Sequence, residues 1–233
     1  MQNSKTILVL GSKPDSDLPA VKVDHIYAAN AAIILANNYI SIGLTNKDFT
    51  SVTTGKQLKK PEVQDSVLSV QPSCIISRRW EIPDNIKNGL TNTRIIRLTD
   101  KEQEDFQKQY LGFGRYLAEI KVILSMVKVD IKAGLSRLKA IAKLNLSGGL
   151  STGLYAVLVA AHNHPEHTII VAGIGLDAGT HFNDNKLKFP LWRGLLDKEM
   201  VKYFSPDLKQ RIFTTDSNFA KNVGVKIYEG GVL

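Results

Sequence analysis

Two short stretches of small and polar residues carry the groups best placed to bind an anion. Ser147-Gly148-Gly149-Leu150-Ser151-Thr152-Gly153 leads into an almost purely apolar, helix-length run from Leu154 to Ala161. A helix that starts there presents unpaired amides and the positive end of its dipole to a negative group. Small residues at the entry let a ligand approach the backbone. After a turn through Asn163, Pro165 and Glu166, Thr168 to Ala172 reads as a buried strand. It ends in the glycine-rich loop Gly173-Ile174-Gly175-Leu176-Asp177-Ala178-Gly179. A loop at the carboxyl end of a strand is where open α/β sheets bind ligands. The same residues also suit a plain helix cap and a core helix packed on a core strand.

Other chemistry-bearing residues sit at strand ends. Gly11-Ser12-Lys13 follows the apolar run Thr6 to Leu10, the usual opening of a nucleotide-binding α/β half. It is neither a dinucleotide fingerprint nor a P-loop, because the upstream glycine is missing. Asn30 ends a second strand, Asp24 to Ala29, where its amide can cap the next helix or turn to a base or ribose. Arg78 and Arg79 follow the end of a further strand, Cys74 to Ser77; they can face a phosphate or carboxylate, or stand as a solvated pair. His162, His164 and His167 invite a metal reading, but no carboxylate or cysteine motif accompanies them. Neither a His-Glu-x-x-His helix nor a Gly-x-Ser-x-Gly elbow is present. The single cysteine, Cys74, excludes an internal disulfide and a cysteine-based metal site, and suits a reducing cytoplasm.

The elements that must position these residues alternate. Strands are expected at Thr6 to Leu10, Asp24 to Ala29, Phe49 to Thr53, Cys74 to Ser77, Arg94 to Leu98 and Thr168 to Ala172. Helices are expected at Ala31 to Tyr39, Val63 to Val70 and Ile82 to Leu90. Such alternation predicts an α/β fold with a mostly parallel sheet covered by helices on both faces. Residues 100–146 lack strand character and form a helical insertion within a single domain spanning residues 1–233. Its second half is amphipathic: Ile120, Ile123, Leu124, Val127, Ile131, Leu135, Leu138, Ile141 and Ala142 make one stripe. Lys121, Lys128, Lys132, Arg137, Lys139 and Lys143 make the other side. This is either a core-packing helix with a solvated basic face or a surface that approaches anionic lipid. Phe189 to Leu196 is expected as a loop bearing Arg193, and Asp197 to Tyr203 as a helix. A strand from Arg211, a short helix at Phe219 to Asn222 and a strand at Val225 to Tyr228 close the chain.

At 233 residues, 43% hydrophobic and 22% charged, the chain has the composition of a globular protein. No apolar run reaches the roughly 18–20 residues a bilayer span requires, and the N-terminus reads as a first strand rather than a signal peptide. The formal net charge of +8 points to an anionic partner. Nucleic acid is set aside, since no RNP motif, zinc finger or Lys/Arg-rich block is present.

Three pieces in order, ILVLGSKPDS, IYAAN and LSTGLYAVLVAA…TIIVAGIGLD, resemble the sialyltransferase-type fold of bacterial sialyltransferases and Kdo transferases. The resemblance covers about half the chain in short islands. It implies a Rossmann-like, GT-A-variant sheet and a CMP-activated sugar as donor substrate, with no metal. Carried over, it implies that Gly11, Ser12 and Asn30 contact CMP, and that Ser151, Thr152 and Gly153 hold ribose or phosphate. The implied activity is transfer of Kdo or a sialic acid-like sugar to a bacterial surface glycan, with the acceptor lipid-linked near the membrane. The implied location is the cytoplasm, including the inner face of the cytoplasmic membrane. The chain departs from the family at two places. The aspartate of the Gly-Ile-Asp turn is Gly175 here, with Asp177 two residues on. The late histidine that serves sialyltransferases as base has no counterpart in Trp192-Arg193-Gly194-Leu195, which points to a carboxylate-based mechanism or an inactive relative.

Transfer from a CMP-sugar requires a stabilised leaving phosphate and a base or nucleophile. Lys13, Arg193, the helix start and Gly173 suit the first need; Asp177 and His181 suit the second, with Asp216 as a further carboxylate. The alternatives from other classes are a non-catalytic nucleotide- or sugar-binding subunit of a polysaccharide synthase, and another Rossmann-like nucleotide enzyme such as a pyrophosphokinase.

Overall fold

The computed structural model describes residues 5–13, 16–45, 48–78, 81–129, 131–142, 149–176 and 191–233. Eight parallel strands among them form one sheet: β1 (Thr6–Leu10), β2 (His25–Ala29), β3 (Phe49–Thr54), β4 (Cys74–Arg78), β5 (Arg94–Leu98), β6 (Thr168–Ala172), β7 (Ile212–Thr214) and β8 (Lys226–Ile227). Their order is β5-β4-β3-β2-β1-β6-β7-β8. The expected mostly parallel sheet is therefore parallel at every pairing. The central strands are apolar on both faces because each is covered twice. Alternation sends Ile7 and Val9 of β1 into one core layer, and Leu8 and Leu10 into the other.

The helices divide between these layers. A 3-10 segment (Asn30–Leu35) leads into α1 (Ala36–Ser41). Then come α2 (Gly55–Leu58), α3 (Pro61–Val70) and α4 (Asp84–Gly89). The 3-10 segment, α1, α3 and α4 cover the face of Leu8, Ile26 and Ile75. The 3-10 start follows from Asn30, whose φ of +53° breaks the strand, and the expected single helix from Ala31 to Tyr39 becomes two turns of different pitch. Four helices fill the crossover from β5 to β6: α5 (Asp100–Leu111), α6 (Gly114–Val129), α7 (Ile131–Ala142) and α8 (Thr152–Asn163). A Thr99–Glu102 capping box starts α5. α8 is buried from Leu154 to Ala161 against the opposite face of the sheet. α9 (Leu191–Met200), a 3-10 turn (Val201–Tyr203), α10 (Pro206–Arg211) and α11 (Ser217–Val223) complete this side.

One further expectation changes, and one open alternative narrows. Residues 191–196 open α9 rather than forming a loop, so Arg193 is carried on a helix. The amphipathic stripe does not pack inward as a unit. Ile123 is buried, but Ile120, Leu124, Ile131, Leu135 and Leu138 face solvent. Among the described residues no helix is long and apolar enough to cross a membrane.

Candidate functional site

Strand β1 lies between β2, which continues the chain in one direction, and β6, reached only after the long crossover. This is the topological switch point of the sheet, and open α/β sheets bind their ligands at the carboxyl ends of the strands that flank such a point. Beyond it the backbones of the two following turns touch. The Gly11 amide donates to the Ala172 carbonyl and the Lys13 amide to the Gly173 carbonyl, both at 2.8 Å. A Cβ at Gly11 would sit 2.2 Å from the Gly173 oxygen, and one at Gly173, where φ is +71°, would sit 2.6 Å from the Gly11 oxygen. Both glycines are required by close approach, not by flexibility. Lys13 lies over Gly175 and forms an ion pair with Asp216, which follows β7.

The start of α8 arrives at the same place. Gly153 packs on Ile174, where an added Cβ would be 3.2 Å from the isoleucine side chain. Ser151 caps the helix through its hydroxyl, which accepts from the Leu154 amide at 3.4 Å. Its own amide donates to Asp197 Oδ1 at 3.0 Å. No acceptor among the described residues meets the next two amides, those of Thr152 and Gly153, and all three residues of the start are partly exposed. A helix start with two such amides beside a lysine is suited to a phosphate or carboxylate. Asn30, one strand away at the end of β2, accepts from the Thr53 hydroxyl through its side-chain oxygen at 3.3 Å.

Below this surface lies a buried polar cluster that sequence reasoning missed. Arg78, 4% exposed, donates from Nε to Gln103 Oε1 at 3.0 Å, from Nη2 to the Leu150 carbonyl at 3.0 Å, and from Nη1 to the Thr152 hydroxyl at 3.4 Å. It stacks on the Tyr155 ring with its guanidinium carbon 4.3 Å from the centroid, and burial pushes that phenol up to about 12. Gln107 accepts from the Leu150 amide at 2.8 Å. Arg193 donates to the Leu150 carbonyl at 2.8 Å. Arg78 is thus not a solvated charge; its fork spans the end of β4, α5 and the entry to α8. Asp197 is wholly enclosed, and burial raises its carboxyl above the usual range despite the opposing pull of Arg193 and the Ser151 amide. Nothing in the sequence marks Asp197, Gln103 or Gln107, since each sits in an ordinary helical run.

The structure therefore brings together Gly11, Ser12, Lys13, Ser151, Thr152, Gly153 and Gly173, places Asn30 one strand away, and seats Arg193 beneath the α8 start. Asp177 and His181 lie outside the described residues. Asp216 is an N-cap: its side chain accepts from the Phe219 amide at 2.9 Å. Burial opposes its charge, but Lys13 and the Phe219 amide hold its carboxyl below the ordinary value.

The described histidines fall elsewhere, near the amino ends of the strands. His164 Nε2 is 3.1 Å from the Tyr27 hydroxyl, which also accepts from Asn163 at 3.0 Å. The His164 ring stacks near those of His25 and His167, while His162 Nδ1 meets the Tyr110 hydroxyl at 3.1 Å. Among the described residues no group of three or more His, Cys, Asp or Glu side chains is placed to hold a metal ion.

No protein-family model, no curated protein and no solved structure matches this chain.

Proposed function

We propose that the protein is a glycosyltransferase that takes Kdo or a sialic acid-like sugar from a CMP-activated donor and passes it to a bacterial surface glycan. The observation that carries this reading is the meeting of the Gly11–Lys13 turn, the Gly173–Gly175 turn and the bare α8 start at the switch point of the sheet. They belong to two of the three sequence islands on which the resemblance rests, the first and the third, which lie far apart in the chain. In this reading the Thr152 and Gly153 amides and the Lys13 ammonium face the donor phosphate. They stabilise the charge that develops as its bond to the anomeric carbon breaks. The Asn30 carboxamide serves the base or ribose. Asp177 and His181, in the continuation of β6, supply the carboxylate or imidazole that takes the acceptor proton. Lys13 is already paired with Asp216. That favours, as the second reading, a binding subunit without turnover.

The test is calorimetric titration of CMP, CDP, UDP, GDP, ATP and NAD into the protein and two variants. CMP is expected to bind. Thr152→Pro deletes one amide at the first helical position, where proline is tolerated, and should lose roughly tenfold or more in affinity, as for a lost hydrogen bond to a charged group. Thr152→Ala keeps that amide and should lose less. Asn30→Gly preserves the positive φ while removing the carboxamide, and should also weaken CMP. Binding of ATP or UDP in place of CMP, or equal affinities across the variants, would overturn the assignment. CMP binding without transfer or hydrolysis of a CMP-sugar would select the second reading.

A further inference from the structure

The hairpin of α6 and α7 presents a face that the other described residues leave uncovered. On α6, Leu117, Ile120 and Leu124 recur at helical spacing; on α7, Ile131, Leu135 and Leu138 do the same. Leu124 is 58% and Ile131 64% exposed, far above what a core helix shows. Phe113, 71% exposed, extends the α6 stripe at its beginning. The two helices that carry the stripes pack on each other at Val127 and Gly134, where an added Cβ would lie 2.3 Å from the valine methyl. At 1.5 Å per residue, the sixteen residues of α6 make the face about 24 Å long.

Among the described residues, the exposed charges on α6 and α7 beside these stripes are all positive. Lys128, Lys132 and Lys139 are exposed beside the stripes, whereas Glu119, the acidic residue of α6, points inward and is buried. The α7 sequence contains no acidic residue. Lys121, also on α6, reaches toward Glu199 at 3.9 Å. A second copy of the chain would bring like-charged lysines together and pay repulsion for the apolar contact. A surface that is apolar within and negative at its boundary matches both features.

We infer that the α6–α7 face docks on an anionic lipid bilayer, with its leucines and isoleucines in the acyl boundary and its lysines among the headgroups. The inference does not depend on what the switch-point site binds. The opposite side of α6 packs against α9, which carries Arg193 and Asp197.

The test is flotation of the full chain with phosphatidylcholine vesicles, with and without phosphatidylglycerol. The protein is expected to float with the phosphatidylglycerol vesicles and to be released by salt, which screens exposed charges. Leu124→Gln with Leu135→Gln, and separately Lys128→Glu with Lys132→Glu, should each weaken the partition at least about tenfold. Both pairs are solvent-facing, so unchanged thermal midpoints will show that the fold survives. Failure of the native chain to float, binding unaffected by either pair, or self-association in sedimentation that the leucine pair abolishes while vesicle binding stays absent, would each overturn the inference.

Discussion

A methyl group added at Gly11 would lie 2.2 Å from a carbonyl oxygen of the neighbouring turn, and one at Gly173 would meet the reciprocal oxygen on a backbone already at positive φ. Neither contact can yield without separating the ends of β1 and β6. Gly175 belongs to the same glycine-rich loop, yet its added Cβ would find only the flexible Lys13 side chain at 3.6 Å. Gly11→Ala and Gly173→Ala should each cost about 1–3 kcal/mol in urea denaturation through overpacking and strain. Gly175→Ala should stay within about 0.5 kcal/mol of the native chain. Equal effects at the three glycines would mean that the turns do not touch as described.

At the scale of elements, the entry to α8 is held from below. Arg78 sends its three nitrogens to three different acceptors on α5, the residue before the helix cap and the first helical residue, and Gln107, Arg193 and Asp197 complete the clamp. A lysine offers one ammonium and cannot span these positions. Arg78→Leu should destabilise the protein by about 3 kcal/mol, because it orphans buried acceptors and removes a charge that faces Asp197. Arg78→Lys should recover little of that loss. Comparing the denaturation midpoints of the two variants checks the geometry, since a purely electrostatic role would let lysine rescue.

At the scale of the whole molecule, the amino end of the sheet is fastened by a cluster that joins β2, β3, α8 and α10. His25 contacts Asp48 at 2.9 Å and the Thr50 hydroxyl at 2.9 Å, and Arg211 donates to the His164 carbonyl at 2.9 Å. Burial pushes Tyr27 up to about 12. It stays protonated, accepts from Asn163 and shares a hydrogen bond with His164 Nε2 whose direction the ring's tautomer sets. Burial first, then the neighbouring His25 and His167, lowers His164 from 6.5 to about 4, against the weaker pull of Asp48 and Asp24. The unfolded chain therefore takes this proton before the folded one does. The contribution of the neutral ring is complete above about pH 6.5 and is lost as pH falls toward about 4. Discounted for partial exposure, the loss should be about 1–2 kcal/mol across that window, read as a falling urea midpoint. His164→Asn should flatten the slope there. Asp48, whose burial is outweighed by hydrogen bonds from Ser73 and His25, is held below the ordinary carboxylate value and loses its stabilisation only at lower pH.

The sequence by itself determined the α/β class, seven of the strands to within a residue, and the buried character of α8. Runs such as Thr6 to Leu10 and Leu154 to Ala161 are apolar on every face and admit only a covered position. It also marked Gly11 to Lys13, Ser151 to Gly153 and Gly173, because small residues at strand and helix ends leave a local trace. Tertiary structure alone decided that these turns meet at one place, since strand order depends on which edges pair across a crossover of about seventy residues. It decided that Arg78 is a buried clamp rather than a surface charge, and that Asp197 meets the Ser151 amide, because hydrogen bonds between distant elements have no signature in spacing. It also turned the α6–α7 stripe outward. A helical period shows that an apolar face exists, and only the packing of neighbours determines what covers it.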